Sequence, residues 1–200
     1  DKIKAPFFRE METLRSLKAR LTGQENARLN PWDVAYYANL RAEEHFRLDQ
    51  EELRRHFPLP RVLDGLFSLA ERLYGIRVKE VPARQSLSGI PAGESAGTVE
   101  VWHPDVRFFT IDDGNGNQLG SFYLDLFSRS NKRAGAWMNT LDTGSPSTPE
   151  TPGKPRLGMV CLNIHPPAAG DTVILSHREV RTLFHEFGHL LHLMFTRVSI

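Results

Sequence analysis

The feature that most constrains this chain lies near its end. Ser176 is followed three residues later by Glu179, the pattern of a capping box, and Leu175 and Val180 flank it as a hydrophobic staple would. Val180, Leu183, Phe184, Phe187, Leu191, Met194, Phe195 and Val198 then recur at spacings of three and four. The spacing predicts one helix from about His177 to Arg197, with an apolar stripe that needs a second layer to cover it. Its less apolar side carries His185-Glu186-Phe187-Gly188-His189. Residues four apart on a helix share a face, so the two imidazoles can share one zinc ion at about 2.0–2.1 Å. Glu186 can then reach a water on that ion, whose pKa falls to about 7, and take its proton. The plain alternative is a helix whose histidines merely face solvent. An interior glycine favours the metal reading. Gly188 costs about 0.5–1 kcal/mol relative to alanine, which calls for a reason such as the close approach of another backbone.

The remaining candidates are weaker. His192 would lie about 10 Å along the axis from His185, too far to share one ion, and reads as a supporting or packed residue. His177, His103 and His165 read as surface residues. The run from Asp112 to Asn117 superficially looks like a calcium loop. It lacks the glycine at the sixth position and an acidic residue at the twelfth, where Leu124 stands. Gly114, Gly116 and Gly120 precede no helix, so no dinucleotide site is implied. Lys132-Arg133 is too short for a nucleic-acid patch. Cys161, in an apolar run, reads as an inert buried thiol.

Over 200 residues, 40% apolar content supplies a real core. A net charge of +1 argues against a nucleic-acid or acidic-membrane partner. A single cysteine excludes an internal disulfide framework, and no apolar run is long enough to span a membrane. Residues 1–75 read as helical. Gly23 and Gly75 are stops, Asn30-Pro31 is a start, and Asp49 with Glu52 is a further capping pattern. One apolar stripe runs through Phe7, Met11, Leu14 and Leu21, and another through Val62, Leu66, Leu69 and Leu73. Residues 76–200 read as a small β-sheet plus the long helix. The strands expected there are Val106–Ile111, Gly120–Phe127 and Met159–Ile164, with a hairpin turn at Asp113–Asn117 and loops at 83–98 and 142–155. The expected class is mainly α with a small antiparallel sheet (α+β). The chain opens at Asp1 without a methionine and ends at Ile200, and reads as a piece of a longer parent.

Three strings sharpen this reading: Phe184-His-Glu-Phe-Gly-His-Leu-Leu-His192, Val101-Trp-His-Pro-Asp-Val-Arg-Phe-Phe109, and Gly120-Ser-Phe-Tyr-Leu-Asp-Leu-Phe127. With Asn131-Lys-Arg-Ala-Gly-Ala-Trp-Met138, Pro31-Trp-Asp and the Tyr36-Tyr37 pair, the chain resembles the thimet oligopeptidase family of zinc metallopeptidases. Residues 83–98 are longer than that pattern. The resemblance implies a zincin-like, cytoplasmic zinc endopeptidase that trims oligopeptides. His185 and His189 would be metal ligands, Glu186 the general base, and a zinc-bound water the nucleophile. The family's third ligand is a Glu that would lie beyond Ile200, so the remainder of the parent is needed for a complete site. The 200-residue piece is therefore expected to lack tightly held zinc and activity. A non-catalytic helical binding or scaffold domain is the alternative. In thermolysin-like peptidases an edge strand beside the zinc pairs with extended substrate. Met159–Ile164 is a candidate for that edge, with Asn163 facing the cleft; a plain central strand is the equal alternative.

Overall fold

The computed structural model of the chain describes residues 2–46, 50–85, 98–145, 153–166 and 171–196. The capping pattern opened by Asp49, most of the 83–98 loop, and Val198 lie outside them. The chain divides into two compact units, Asp1–Leu53 and Arg54–Ile200.

In the first unit, α1 (Lys4–Thr22) packs on α2 (Asp33–Phe46). Gly23 stops α1 in the left-handed region at φ 70°, as expected of a helix-ending glycine. The small core is Leu14, Leu17 and Tyr37. Phe7 and Leu21, expected on the same stripe, are about half exposed. The Asn30 side chain does not cap α2 by accepting; its carbonyl accepts from Asp33 N–H at 2.9 Å, and its backbone and side-chain N–H groups donate to Asp33 Oδ2 at 2.9 and 3.2 Å. Lys18 Nζ meets the same oxygen at 2.7 Å. The short α3 (Gln50–Arg54) lies at the division between the units.

The second unit is built on a five-stranded sheet. Its strands are β1 (Arg77–Val81), β4 (Arg107–Asp112), β5 (Gln118–Phe127), β7 (Arg156–Ile164) and β6 (Trp137–Asp142), in that spatial order. Two further short strands, β2 (Ala83–Gln85) and β3 (Val99–Val101), pair in parallel, so the 83–98 segment begins as strand rather than loop. The sheet is mixed, not antiparallel as expected. The chain leaves β5, lays down β6 at the far edge, and returns through β7 into the gap, which makes β5 and β7 parallel. The hairpin turn falls where the Asp113–Asn117 chemistry places it. Asp113 Oδ1 accepts from the N–H groups of Asn115 and Asn117 at 2.8 Å each.

One sheet face is covered by α4 (Leu59–Tyr74) and α5 (His177–Phe195). α4 buries Leu59, Val62, Leu63, Leu66 and Ala70, while Leu69 and Leu73 of the expected stripe are exposed. The true stripe is turned by one column toward the sheet. This also explains why the compact units part near residue 53 and not at the helix-to-strand change near 75: α4 belongs to the sheet's core. Phe67 of α4 joins the layers, with ring centroids 5.2 Å from Phe109 and 5.7 Å from Phe187. Two glycines let α5 lie close to the sheet. A Cβ on Gly158 would sit 2.5 Å from Leu190 Cδ1, and one on Gly120 would sit 2.3 Å from Met194 Sδ. The opposite face holds a polar knot. Asp125 accepts from Trp102 Nε1 at 3.1 Å, from both terminal nitrogens of Arg129 at 2.8 and 2.7 Å, and from Lys132 Nζ at 2.9 Å.

Candidate active site

α5 begins at the expected residue because its cap is reciprocal. Glu179 N–H donates to Ser176 Oγ at 3.2 Å, and Ser176 N–H donates to a Glu179 carboxylate oxygen at 2.7 Å. The hydroxyl of Ser176 adds a third bond to that carboxylate at 2.8 Å. Both staple residues, Leu175 and Val180, pack in the main core. The helix presses Leu183, Phe187, Leu190 and Met194 onto the sheet, and that packing fixes its rotation. His185, Gly188, His189 and His192 consequently face outward.

The rotation brings the two expected ligands together. His185 Nε2 and His189 Nε2 lie 3.1 Å apart, with their rings at 88° to one another. Two nitrogens bound tetrahedrally at about 2.0–2.1 Å would be separated by about 3.3 Å, so the pair fits one ion without rearrangement. Glu186 is 9% exposed, accepts no hydrogen bond among the described residues, and lines the same open cleft of about 870 Å³ as His185. The carboxylate oxygens themselves are not cut off from the cleft. They have only the cleft to turn to. A proton acceptor is therefore set beside a convergent pair of metal-ligand nitrogens. Among the described residues no third His, Cys, Asp or Glu joins them.

The other sequence readings sort as follows. His192 is exposed, not packed. His165 and His177 are exposed, as expected, and His103 is partly so, with its Nδ1 accepting from Asp105 N–H at 3.3 Å. Gly188 has open space where a Cβ would stand, so no described backbone approaches it. Cys161 is buried, and burial, reinforced by the Asp125 charge, pushes its thiol up to about 11. The edge-strand reading of Met159–Ile164 is corrected. β7 carries a ladder on both sides, to β5 and to β6. Asn163 is occupied inside the chain, its amide donating to the carbonyls of Arg133 and Gly135 at 2.9 and 2.6 Å. Two residues the sequence reading passed over, Arg178 and Arg181, line the cleft with His185. Their signal was positional: they precede His185 by seven and four residues, on its own face of the helix.

A capped amphipathic helix bearing an HExxH pair over a mixed sheet is an arrangement suited to a metallopeptidase. Comparison with known proteins agrees: Peptidase family M3 matches residues 1–200, and the chain belongs to that family. Oligopeptidase A of Escherichia coli (strain K12) is 41% identical over 171 residues, which is 86% of this chain and 23% of that protein. Oligopeptidase A of Salmonella typhimurium is 39% identical over 191 residues, 96% of this chain and 25% of that protein. Dipeptidyl carboxypeptidase of Escherichia coli (strain K12) is 37% identical over 191 residues, covering 94% and 25%. The chain thus spans about a quarter of the length of these relatives.

Proposed function

We propose that this chain is the metal-helix part of a zinc metalloendopeptidase that hydrolyses peptide bonds in oligopeptides. The observation that carries the reading is the convergence of His185 and His189 at 3.1 Å beside the buried, unpartnered Glu186. The names of the oligopeptidase A relatives support the substrate class. His185 and His189 would hold the ion through Nε2. Zinc, when bound, polarises a carbonyl and lowers the pKa of a water. Glu186 accepts the proton of the attacking water at a carboxylate oxygen and later passes it to the leaving amine. Seating α5 against the sheet fixes the rotation of the helix, and with it the side from which this carboxylate is presented to the cleft. Extended substrate would add to β6, which has a described neighbour on one side only and lies with β7 under α5. Strand addition of this kind holds the peptide by its backbone and suits a sequence-tolerant peptidase.

Three protein ligands are the norm for a catalytic zinc site. We therefore place the third outside the described residues, in the rest of the full-length protein. The 200-residue chain alone should bind zinc weakly and cleave nothing. Isothermal titration giving a tight stoichiometric site on the chain alone would overturn that placement. For the full-length protein, chelation should abolish cleavage of a quenched fluorescent peptide and zinc should restore it. Glu186→Gln should keep the metal and lower turnover by about 10²–10⁴-fold. Turnover within a few-fold of wild type would remove Glu186 from the mechanism.

A further inference from the structure

The connection between β5 and β6 is held from two sides, by side chains that the proposed chemistry does not use. The β6–β7 ladder ends with Trp137 opposite Cys161. Two residues further along the same register, Gly135 would stand opposite Asn163. Gly135 instead takes a φ of 104°, a region glycine enters freely, and the backbone turns out of the strand there. The Asn163 side chain replaces the ladder at that point. Its amide donates to the carbonyls of Gly135 at 2.6 Å and Arg133 at 2.9 Å. On the other side, Lys132 reaches back to the neighbouring strands. The β5–β7 ladder shifts register between Asp125 and Phe127. Lys132 Nζ fills that break, donating to the carbonyls of Asp125 at 2.8 Å, of Phe127 at 3.0 Å and of Leu162 in β7. Residues 128–136 carry neither helix nor strand, and closing a connection of this length costs little. Pinning it to both β5 and β7 therefore fixes something beyond closure. The residue that follows is Trp137, the first of β6.

We propose that Asn163, backed by Lys132, is a positioning residue for substrate: by fixing the turn before β6 it keeps the outer edge of that strand ready for an extended peptide to pair with. Among the described residues β6 has β7 as its one neighbour. A strand bonded on one side frays from its ends, and a peptide that must first order it binds more weakly in proportion to the time it spends disordered. The far end of β6 has local holds of its own. Asp142 Oδ1 accepts from Gly144 N–H at 2.9 Å, and Ser145 and Lys154 exchange two backbone bonds at 3.0 Å. The near end depends on Asn163 and Lys132. The histidine pair stands on α5, whose rotation is set by its own buried residues, so loosening the turn leaves the metal pair in place. The inference rests on the peptidase reading and on strand addition to β6, and its test is arranged to fail separately from the former.

The experiment uses the full-length protein with Asn163→Asp, Asn163→Ala and Asn163→Gln. The first keeps the volume and sets an anion against two carbonyls, the second removes the donor, and the third keeps it on a longer stem. With a quenched peptide long enough to pair along the six residues of β6, KM should rise roughly threefold to tenfold in the Asp and Ala variants, with kcat within about twofold and metal content unchanged. The Gln variant should recover part of the loss. N-methylating the peptide amides that would face the strand should weaken wild type and shrink the gap to Asn163→Asp, since both changes act on one interaction. Fluorescence anisotropy of the labelled peptide on metal-free protein should repeat the order without chemistry. Hydrogen exchange should be faster at Trp137–Asp142 in the variants and unchanged along α5. Gly135→Ala meets no neighbour but strains the backbone at its φ. It disturbs the same turn without touching Asn163, and should raise KM in the same direction even if the Asn163 variants fold poorly. A fall in kcat at unchanged KM, loss of metal, or variants equal to wild type would overturn the positioning role while leaving the peptidase standing. Absence of any cleavage by wild type would overturn the peptidase, and peptide binding and hydrogen exchange on metal-free protein would still decide the role of Asn163.

Discussion

Asp125 offers the most quantitative test of how this fold is held. Its side chain is 4% exposed, on the sheet face away from α5. Burial alone would raise its carboxyl, but hydrogen bonds from Arg129, Lys132 and Trp102 outweigh that and hold it at about 2. Against an unfolded value near 3.9, the depression corresponds to about 2.5 kcal/mol of stability. Because the folded pKa is the lower one, this contribution is complete above about pH 4–5. It is lost as the pH falls through about 2. Asp125→Asn preserves volume and removes the charge. It leaves Lys132, itself 4% exposed, among the carbonyls of Asp125, Phe127 and Leu162 with no anion. Breaking one side of a buried pair costs about 3–5 kcal/mol. Arg129 is a fifth exposed and can turn to water, so a loss near 3 kcal/mol is expected at pH 7. Urea denaturation of wild type and variant at pH 7 and pH 2.5 measures it, and the gap should narrow at the lower pH. Adding Lys132→Met to the variant should recover part of the loss, because the orphaned charge goes with it. A cost below about 1 kcal/mol at pH 7, or a gap indifferent to pH, would refute the account.

Further expectations follow from the packing of α5 and β7. Gly120→Ala places a Cβ 2.7 Å from the Arg156 carbonyl oxygen as well as against Met194, so backbone must move. A loss of about 1–3 kcal/mol should appear in thermal denaturation, and an unchanged midpoint would mean that the strand yields freely. Ser176→Ala removes the acceptor for the Glu179 N–H and should cost about 1 kcal/mol by urea titration, with Ser176→Asp recovering most of it. Cys161, the single cysteine, should resist a thiol reagent at pH 8 in the folded protein and react fully in denaturant; rapid labelling of the native state would contradict its burial and raised pKa.

The long helix was legible residue by residue because its signals are local. A cap, a staple and a stripe at 3.6-residue period all lie within one stretch of chain, and the histidine pair inherits its geometry from the period alone. The hairpin was legible for the same reason. The stripe of α4 was misplaced by one column because several of its faces carry leucines, and only the docked sheet chooses between them. The Asp125 knot escaped notice because its members come from three separate segments, Trp102, Asp125 and the Arg129–Lys132 turn.

Strand order was the least legible feature, and it bears most directly on the chemistry. An apolar run such as Met159–Ile164 suits either an edge or a centre, and its alternation cannot say how many neighbours it has. The answer lies in the segment before it. Trp137–Asp142 is short, its middle residues Asn139, Thr140 and Leu141 are exposed, and it pairs with β7 as the preceding arm of an antiparallel connection. A strand half apolar and half polar tolerates the border of a sheet, whereas β7, with Gly158, Val160, Cys161, Leu162 and Ile164 all buried, requires cover on both faces. Once β7 pairs with β5, β6 can only lie outside it. Among the described residues the open ladder on that side of the sheet then falls beside α5 on β6, and Asn163 is left to hold the Arg133–Gly135 turn that leads into that strand. The residue chosen from sequence as a substrate contact thus acts one step back, on the approach to the strand proposed to meet the substrate.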